Sequence, residues 1–429
     1  MKLYNVLTQT TNIYHPSDPV GIYVCGITPY DTTHLGHAFT YHVYDILIRY
    51  LEYQGYRVRY VQNVTDIDDD ILRKARETGE DWQQLGNRWT SRFIRDLIEI
   101  NIRPPDFYPR ATDVIPDIVT HVQKLIAHGV AYEAGGSVYY RVRSWPDFGK
   151  LSHLNHEHML PIANERGNHP DDPNKEDPLD FVLWQAQQPG EPAWDSPWGP
   201  GRPGWHIECS TMALHYLGEQ IDIHGGGGDL LFPHHECSIA QVEALTQKTF
   251  TQVWMHAAMV YYQGEKMSKS LGNLIMVNDL LKRYHPDLLR LYLSQHHYRQ
   301  SWEFVEEDLA QQQALLDLLH ESATVANGSR PPTPDMCAAY EHNARRFEQA
   351  LENDLATQDA LAALKDLAVD IRQDAMRGYD IRTARARFRT CASILGLRLD
   401  APEPEARVIL GWQRHLRRFP VSPQTHFCS

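Results

Sequence analysis

The chain has 429 residues, of which 42% are hydrophobic and 22% charged, and its formal net charge is −14 at pH 7. This length and composition exclude a fibrous or low-complexity chain and indicate a globular protein of two or three domains. The acidic balance argues against a large nucleic-acid surface, so we expect small-molecule partners and no nucleic acid.

The sequence contains no run of roughly 18 apolar residues that could span a membrane, and its first residues lack the apolar core of a signal peptide. We therefore expect a cytoplasmic, monomeric protein without a membrane partner. Six cysteines scattered over this length are too few for a disulfide framework, which leaves burial or metal binding as their expected use.

A strand–helix–strand unit opens the chain. Gly21–Val24 has the pattern of a buried strand, a helical pattern runs from His34 to about Leu51, and Arg57–Val64 has the pattern of a second strand. Such a βαβ unit predicts an α/β fold with a Rossmann-like, doubly wound parallel sheet, whose ligands lie at the carboxyl ends of the strands.

The later pattern predicts how the chain is divided. Strand and helix signals become irregular after residue 100 and return at Trp205. They give way to an almost wholly helical pattern after the segment KMSKS at residues 266–270. We expect a first half of the nucleotide-binding domain (1–100), an insertion (101–204), the second half with the KMSKS loop (205–277), a helical bundle (278–400) and a C-terminal tail (401–429).

Two histidines mark the start of the first long helix. In His34-Leu35-Gly36-His37 the glycine lets a phosphate approach the backbone, and the imidazoles can hydrogen-bond its oxygens beside free helix N–H groups. Lys266 and Lys269 of the KMSKS segment can neutralise a leaving pyrophosphate. These four side chains are the predicted catalytic groups.

Two cysteines and a histidine are candidate metal ligands. Cys25, Cys209 and His234 each lie at a predicted strand end or just after one, and two thiolates with an imidazole suit Zn²⁺ with one coordination position open. The alternative is that the two cysteines are buried apolar side chains and that His234 is a histidine near a helix N-cap. Cys237 is either a core residue or a fourth ligand.

The segment Gly225–Asp229 permits close approach of a ligand to the backbone, and Asp229 can accept hydrogen bonds from ribose hydroxyls or from a substrate ammonium group. Trp205 either forms a wall of an amino-acid pocket or packs beneath the neighbouring turn.

These motifs together resemble those of class I aminoacyl-tRNA synthetases, whose HIGH and KMSKS motifs correspond to HLGH and KMSKS here. Within that class, the chain most resembles cysteinyl-tRNA synthetases and the mycothiol-pathway cysteine ligases. The motifs that carry this closer resemblance are NVTD, GRPGWHIEC and DIHGGGGDLLFPHHE. The resemblance implies ATP as substrate, with Mg²⁺, and one Zn²⁺ per chain on Cys25, Cys209 and His234, where the thiolate of substrate cysteine takes the open position. It implies adenylate contacts at Cys25, Gly26, Ile27, Thr28, Thr40, Asn63, Val64, Thr65, Trp205, Gly227, Gly228, Asp229 and Val260.

Short differences between the two families favour the mycothiol-pathway ligase. Five features of the chain are closer to that ligase than to the synthetase. They are GITPYD, the ERGNHP segment at 165–170, the HHECS run at 234–238, the HAAM run at 256–259 and the short C-terminal region. We therefore expect an ATP-dependent ligase that activates L-cysteine as cysteinyl-adenylate. The acceptor would be the amine of 1D-myo-inositol 2-amino-2-deoxy-α-D-glucopyranoside, and AMP and pyrophosphate would be released.

Two alternatives remain at the sequence level. One is a compact cysteinyl-tRNA synthetase, which FVLW at 181–184 and SLGN at 270–273 also resemble. The other is a non-catalytic paralogue that binds nucleotide or zinc, against which the intact histidine and lysine motifs argue.

Overall fold

A computed structural model describes residues 1–30, 33–267 and 271–421 of the chain. Its central sheet has four parallel strands in the order β10-β9-β3-β4. The expected α/β fold with a Rossmann-like parallel sheet is confirmed. The strands are β1 (Lys2–Asn5), β2 (Thr10–Ile13), β3 (Val20–Ile27), β4 (Val58–Val64), β5 (Ala131–Ala134), β6 (Ser137–Tyr140), β7 (Phe181–Ala186), β8 (Gly201–Pro203), β9 (Ile221–Gly227), β10 (Thr251–Ala257), β11 (Val260–Tyr262), β12 (Glu265–Lys266) and β13 (Trp302–Glu303).

Helices cover both faces of this sheet and form most of the chain after residue 277. They are α1 (Leu35–Tyr53), α2 (Asp69–Thr78), α3 (Trp82–Glu99), α4 (Ile115–Ala127), α5 (His156–Glu165), α6 (Trp205–Leu217), α7 (Glu236–Thr246), α8 (Val277–Leu281), α9 (Pro286–Ser294), α10 (Glu306–Gln311), α11 (Gln313–Thr324), α12 (Pro334–Glu352), α13 (Thr357–Met376), α14 (Arg382–Ile394) and α15 (Ala406–Leu416). None of the helices in the described ranges combines the length and apolar character that a membrane span requires.

Between residues 131 and 203 the chain forms a second sheet, of antiparallel strands in the order β5-β6-β7-β8. It precedes α6, whose first residue is Trp205. Smaller pairings join β1 to β2, and β12 to β11 to β13.

Alternate residues of β3 face two different apolar cores. Ile22 and Val24 belong to a core that includes α1 and the C-terminal helices, whereas Tyr23 and Cys25 belong to a core shared with α6, α7 and the antiparallel sheet. This period-two alternation is what a strand buried on both faces requires. It also places the thiol of Cys25 on the side of the sheet that α6 covers.

Two helices, α2 and α3, follow β4 in close succession. α2 begins at the N-cap Asp68, whose carboxylate accepts a 2.8 Å hydrogen bond from the Ile71 N–H, and ends at Gly79 with φ of 68°. Asp81 then caps α3. A left-handed glycine followed by a new aspartate cap stops one helix and starts the next.

Candidate active site

The carboxyl ends of the parallel strands carry the motifs that the sequence singled out. Cys25–Ile27 ends β3, Asn63–Val64 ends β4, and Gly227 ends β9. Adjacent parallel strands end at one edge of the sheet, so these segments face a common space, where open α/β sheets bind ligands. Val260 opens β11, just beyond the end of β10.

Gly26 shows how closely two of these segments approach. Its N–H donates a 2.7 Å hydrogen bond to Oδ1 of Asn63. A Cβ atom at Gly26 would lie 1.5 Å from the carbonyl oxygen of Asn63, a distance that no side chain can occupy. Only glycine permits this packing of the β3 end against the β4 end.

His34 and His37 lie together at the start of α1. His34 is the N-cap, its Nδ1 accepts a 3.4 Å hydrogen bond from the His37 N–H, and the two rings stack with centroids 3.7 Å apart. A Cβ at Gly36 would lie 4.0 Å from Cε of Met267, which places the KMSKS segment beside the histidines.

Lys266 and Asp229 join the KMSKS segment to the glycine-rich turn. Lys266 Nζ lies 3.5 Å from Asp229 Oδ2, and both side chains are partly exposed. Lys269, the other predicted catalytic lysine, lies outside the described residues. Thr40 bonds the carbonyl of Gly36 within its own helix and faces Gly227, where a Cβ would lie 3.9 Å from its hydroxyl oxygen.

Cys25, Cys209 and His234 form a compact, fully buried cluster. One ligand atom from each lies within 4.8 Å of the other two, and the two sulfurs are 3.6 Å apart. Soft thiolates with an imidazole are the donor set that Zn²⁺ prefers, and three ligands leave a tetrahedral position open. The residues present therefore fit a zinc ion. Cys209 lies inside α6, contrary to the expectation that it follows a strand end.

Burial opposes ionisation of both thiols, but their neighbours shift the two pKa values in opposite directions. Burial and the adjacent Cys209 raise the pKa of Cys25. Burial opposes ionisation of Cys209 as well, yet a hydrogen bond from Cys25 and the nearby His234 hold the pKa of Cys209 well below its usual value. A thiolate is therefore favoured at Cys209, and a thiolate is the metal-binding form.

Aromatic rings surround the imidazole of His234. Trp205 stacks on it with centroids 4.4 Å apart and an interplanar angle of 21°, and His206 Nδ1 lies 3.0 Å from His234 Nδ1. Trp205 is half-buried and begins α6. It therefore contacts the candidate ligand directly and is not only packing under a turn.

A second cluster, which sequence reasoning missed, shares Cys25 with the first. Ligand atoms of Cys25, His224 and His235 also lie within 4.8 Å of one another. His235 Nε2 is 3.2 Å from Cys25 Sγ, and His235 Nδ1 is 2.7 Å from His256 Nε2. The position of His224 near the end of β9 and the adjacent histidines at 234 and 235 were the available signals. Cys237 belongs to neither cluster and is buried in the core on the α6 side of the sheet.

Acidic side chains cluster next to this site. Burial raises the pKa of Asp66 to about 6 and that of Asp68 to about 7, and it raises the pKa of Glu208 well above its usual value. Burial also raises the pKa of Glu236, and this rise is opposed by the hydrogen bonds that its carboxylate accepts from the N–H groups of Gly149 and Ser152 at 2.9 and 2.7 Å. That contact ties the start of α7 to the segment before α5.

Two family models match the chain. The model described as tRNA synthetases class I (C) catalytic domain matches residues 12–314, and the DALR domain model matches residues 346–400. The first match contains the central sheet and both candidate metal clusters. The second lies in the helices after α11.

Curated relatives and solved structures agree with these matches. A cysteine–tRNA ligase of Dehalococcoides mccartyi is 44% identical over 408 residues, covering 94% of this chain and 88% of that protein. One of Thermococcus onnurineus is 43% identical, covering 86% and 79%. The structure of Mycobacterium tuberculosis methionyl-tRNA synthetase with methionyl-adenylate has a TM-score of 0.64 at 15% identity, covers 95% of both chains, and supports the fold alone.

These relatives overturn the sequence-based choice of the mycothiol-pathway ligase. That choice, its aminosugar acceptor and the expected absence of a nucleic-acid partner are wrong, because similarity over nearly the whole chain outweighs a few short local differences. The expected enzyme class was an ATP-dependent cysteine ligase that forms a carbon–nitrogen bond. The relatives support an ATP-dependent aminoacyl ligase and do not support the bond to an amine. The chain belongs to the cysteine–tRNA ligase family of class I tRNA synthetases.

Proposed function

We propose that the protein activates L-cysteine with ATP and transfers the cysteinyl group to the terminal ribose of tRNA(Cys). The observation that carries the proposal is the buried cluster of Cys25, Cys209 and His234 at the sheet edge, in a chain 44% identical to a cysteine–tRNA ligase. A Zn²⁺ ion held by these three side chains would supply a soft acceptor for the thiolate of the substrate. Serine, with a hard and weakly acidic hydroxyl, would be a poor competitor.

The remaining groups have roles that follow from their positions. The stacked His34 and His37 lie at the N-terminus of α1, where hydrogen bonds to phosphate oxygens are favoured. Lys266, with Lys269, would neutralise the pyrophosphate as it leaves. Asp229, 3.5 Å from Lys266, is placed to accept hydrogen bonds from the substrate ammonium or from ribose hydroxyls.

The adenylate would lie along the strand ends. Its contacts in this proposal are the β3 and β4 ends with Thr28 and Thr65, Thr40 on α1, Trp205, Gly227–Asp229 and Val260. The close approach of Gly26 to Asn63 keeps this edge free of side-chain bulk. Holding the mixed anhydride and the acceptor in one cleft would supply much of the second step, because the carboxyl group is already activated.

The domain division expected from the sequence is part of the proposal. The insertion at 101–204 would contribute to the acceptor side of the cleft, and the helices of 278–400 would contact tRNA. The match of residues 346–400 to a DALR domain supports a shared role with the relatives.

Two assays test the proposal in sequence. Exchange of pyrophosphate into ATP should require cysteine and should be weak with serine. AMP release should then rise on addition of tRNA(Cys) and not on addition of the aminosugar–inositol. Charging should fall steeply with salt, whereas exchange should change little, because only the tRNA step releases counterions. Exchange without any response to tRNA(Cys) would contradict the acceptor, and absence of cysteine-dependent exchange would contradict the activity.

A further inference from the structure

A third group of metal-binding side chains lies away from the strand ends, among the C-terminal helices. His285 is the N-cap of α9, Asp287 is in the first turn of α9, and His320 is on α11. One ligand atom from each lies within 4.8 Å of the other two. The two rings are nearly perpendicular, with centroids 5.7 Å apart.

The carboxylate of this group is held rigidly. Asp287 is fully buried, and its oxygens accept hydrogen bonds from the backbone N–H groups of Arg398 and Leu399 at 2.9 to 3.1 Å. Backbone donors of this kind orient a carboxylate without using all its lone pairs, as supporting partners do around metal ligands.

His320 supplies the observation that points to a ligand. The side chain of His320 is partly exposed, but its Nε2 atom is buried, has no hydrogen-bond partner within the described residues and lies 3.9 Å from Asp287 Oδ2. Around a tetrahedral zinc ion, ligand atoms lie roughly 3.3–3.5 Å apart. The two atoms are therefore a few tenths of an ångström from the separation that a shared metal would impose.

His285 can become the third metal ligand by giving up one hydrogen bond. Its Nδ1 now accepts a 3.1 Å hydrogen bond from the Asp287 N–H. A metal at Nδ1 would take that lone pair, and a metal at Nε2 would require the proton to move to Nδ1, so the capping bond is replaced in either case. The ring is exposed, so this exchange needs no rearrangement of the core.

The donor set favours a metal that binds imidazole strongly. Hard cations such as Mg²⁺ and Ca²⁺ prefer several oxygen ligands, and this group offers one carboxylate beside two imidazoles. Two imidazoles with one carboxylate suit Zn²⁺.

We propose that His285, Asp287 and His320 form a structural Zn²⁺ site, with water completing the coordination, that joins the start of α9 to α11. The site is separate from the thiol cluster and does not depend on the proposed reaction. Through Asp287 the ion would also secure the turn at 398–399.

Metal counting on the full chain tests the site. Zn²⁺ alone is the probe, and the variants are His320→Gln and His285→Gln, with His342→Gln on the exposed face of α12 as the matched control. We expect each of the first two variants to hold one zinc fewer per chain than wild type, and the control to hold the same number. Added zinc should raise the Tm of wild type more than that of His320→Gln.

Cobalt substitution separates this site from the thiol cluster. In a background with both Cys25→Ser and Cys209→Ser, which removes the thiols of both clusters at the strand ends, bound Co²⁺ should lack a thiolate charge-transfer band and should be lost when His320→Gln is added. Equal metal content in His320→Gln, His285→Gln and His342→Gln would overturn the proposal. Its failure would leave cysteine-dependent pyrophosphate exchange intact, so it is distinguishable from failure of the proposed function.

Discussion

Cys209 is the residue whose chemistry the proposed cysteine selection depends on most directly. Its sulfur is 3.6 Å from that of Cys25, and its neighbours favour the thiolate. For Cys209→Ser we expect the preference for cysteine over serine in pyrophosphate exchange to fall by at least about 10–100-fold, since a lost metal contact weakens binding by this order. The fold should persist, because the change conserves volume.

Substitutions of two other cysteines serve as controls for the Cys209→Ser experiment. Cys337→Ser alters an exposed thiol on α12, and Cys237→Ser alters a buried thiol outside both clusters. Both should keep the wild-type preference. Loss of the preference in Cys237→Ser would make that residue a ligand and would contradict the three-residue set.

Asp68 should make stability depend on pH. Its folded-state pKa is raised to about 7 by burial, above the value of about 4 for an unfolded aspartate, so the folded chain binds the extra proton between these values. The free energy of unfolding should therefore fall as pH rises from about 4 to 7. Asp68→Asn keeps a capping oxygen and should remove about 1–3 kcal/mol of that fall.

Denaturant titrations from pH 4 to 8 would measure this difference. The stability of Asp68→Asn relative to wild type should increase with pH across the window. A relative stability that decreases with pH would contradict the raised pKa.

At single positions, the sequence identified candidate metal ligands where the side chains lie in recognisable short motifs. Thiol and imidazole side chains in short motifs near strand ends were enough to single out Cys25, Cys209 and His234 as a group. His224 of β9, His235 just before α7 and His256 of β10 were missed because their rings come together only in the folded chain. The choice between acceptors failed because a few short local differences say little about a partner as large as tRNA.

Among the elements, α1 and α9 are joined by a buried ion pair. Arg290 Nη2 donates a 2.5 Å hydrogen bond to Asp45 Oδ2, both side chains are fully buried, and Arg49 shares the same carboxylate. Burial opposes ionisation of Asp45, yet the two guanidinium groups lower its pKa to about 2.

Arg290→Met should lower the free energy of unfolding by about 3–5 kcal/mol, because it leaves a buried carboxylate short of one cation. Arg57→Met, which removes an exposed arginine from its pair with Asp18, should cost at most about 1 kcal/mol. Denaturant unfolding at neutral pH would compare them. Similar costs for the two variants would contradict the distinction between buried and exposed pairs.

Element boundaries were predicted less well than element types. The strand expected at Gly21–Val24 extends over Val20–Ile27 as β3, and Cys209, expected at or just after a strand end, lies inside α6. Periodicity reports the buried face of an element, whereas its ends depend on caps and on glycines with positive φ, which are recognised only in the folded backbone.

For the molecule as a whole, one apolar core joins the central sheet to the C-terminal helices. Ile22 of β3, Leu47 of α1, Leu364 of α13, Phe388 of α14 and Trp412 of α15 all belong to it. The parallel sheet was predictable because strands alternated with helices. The docking of α15 was not, since its Trp412 reaches the carbonyl of Ile102 across the fold.

We expect this shared core to make the sheet and the C-terminal helices unfold together. Far-ultraviolet circular dichroism, which follows the helices, and near-ultraviolet circular dichroism should give coincident midpoints in denaturant. Two separated transitions, with the helices melting first, would contradict a single cooperative unit.

The contact of Glu236 with the turn at 149–152 has a mechanical consequence. Glu236 follows His234 by two residues. The carboxylate that accepts hydrogen bonds from this turn therefore belongs to the same short segment of chain as a proposed zinc ligand. A molecule that binds at residues 149–152 and moves them would therefore also displace His234 through these two hydrogen bonds. We expect binding of an acceptor at this turn to alter the position of the proposed zinc ligand.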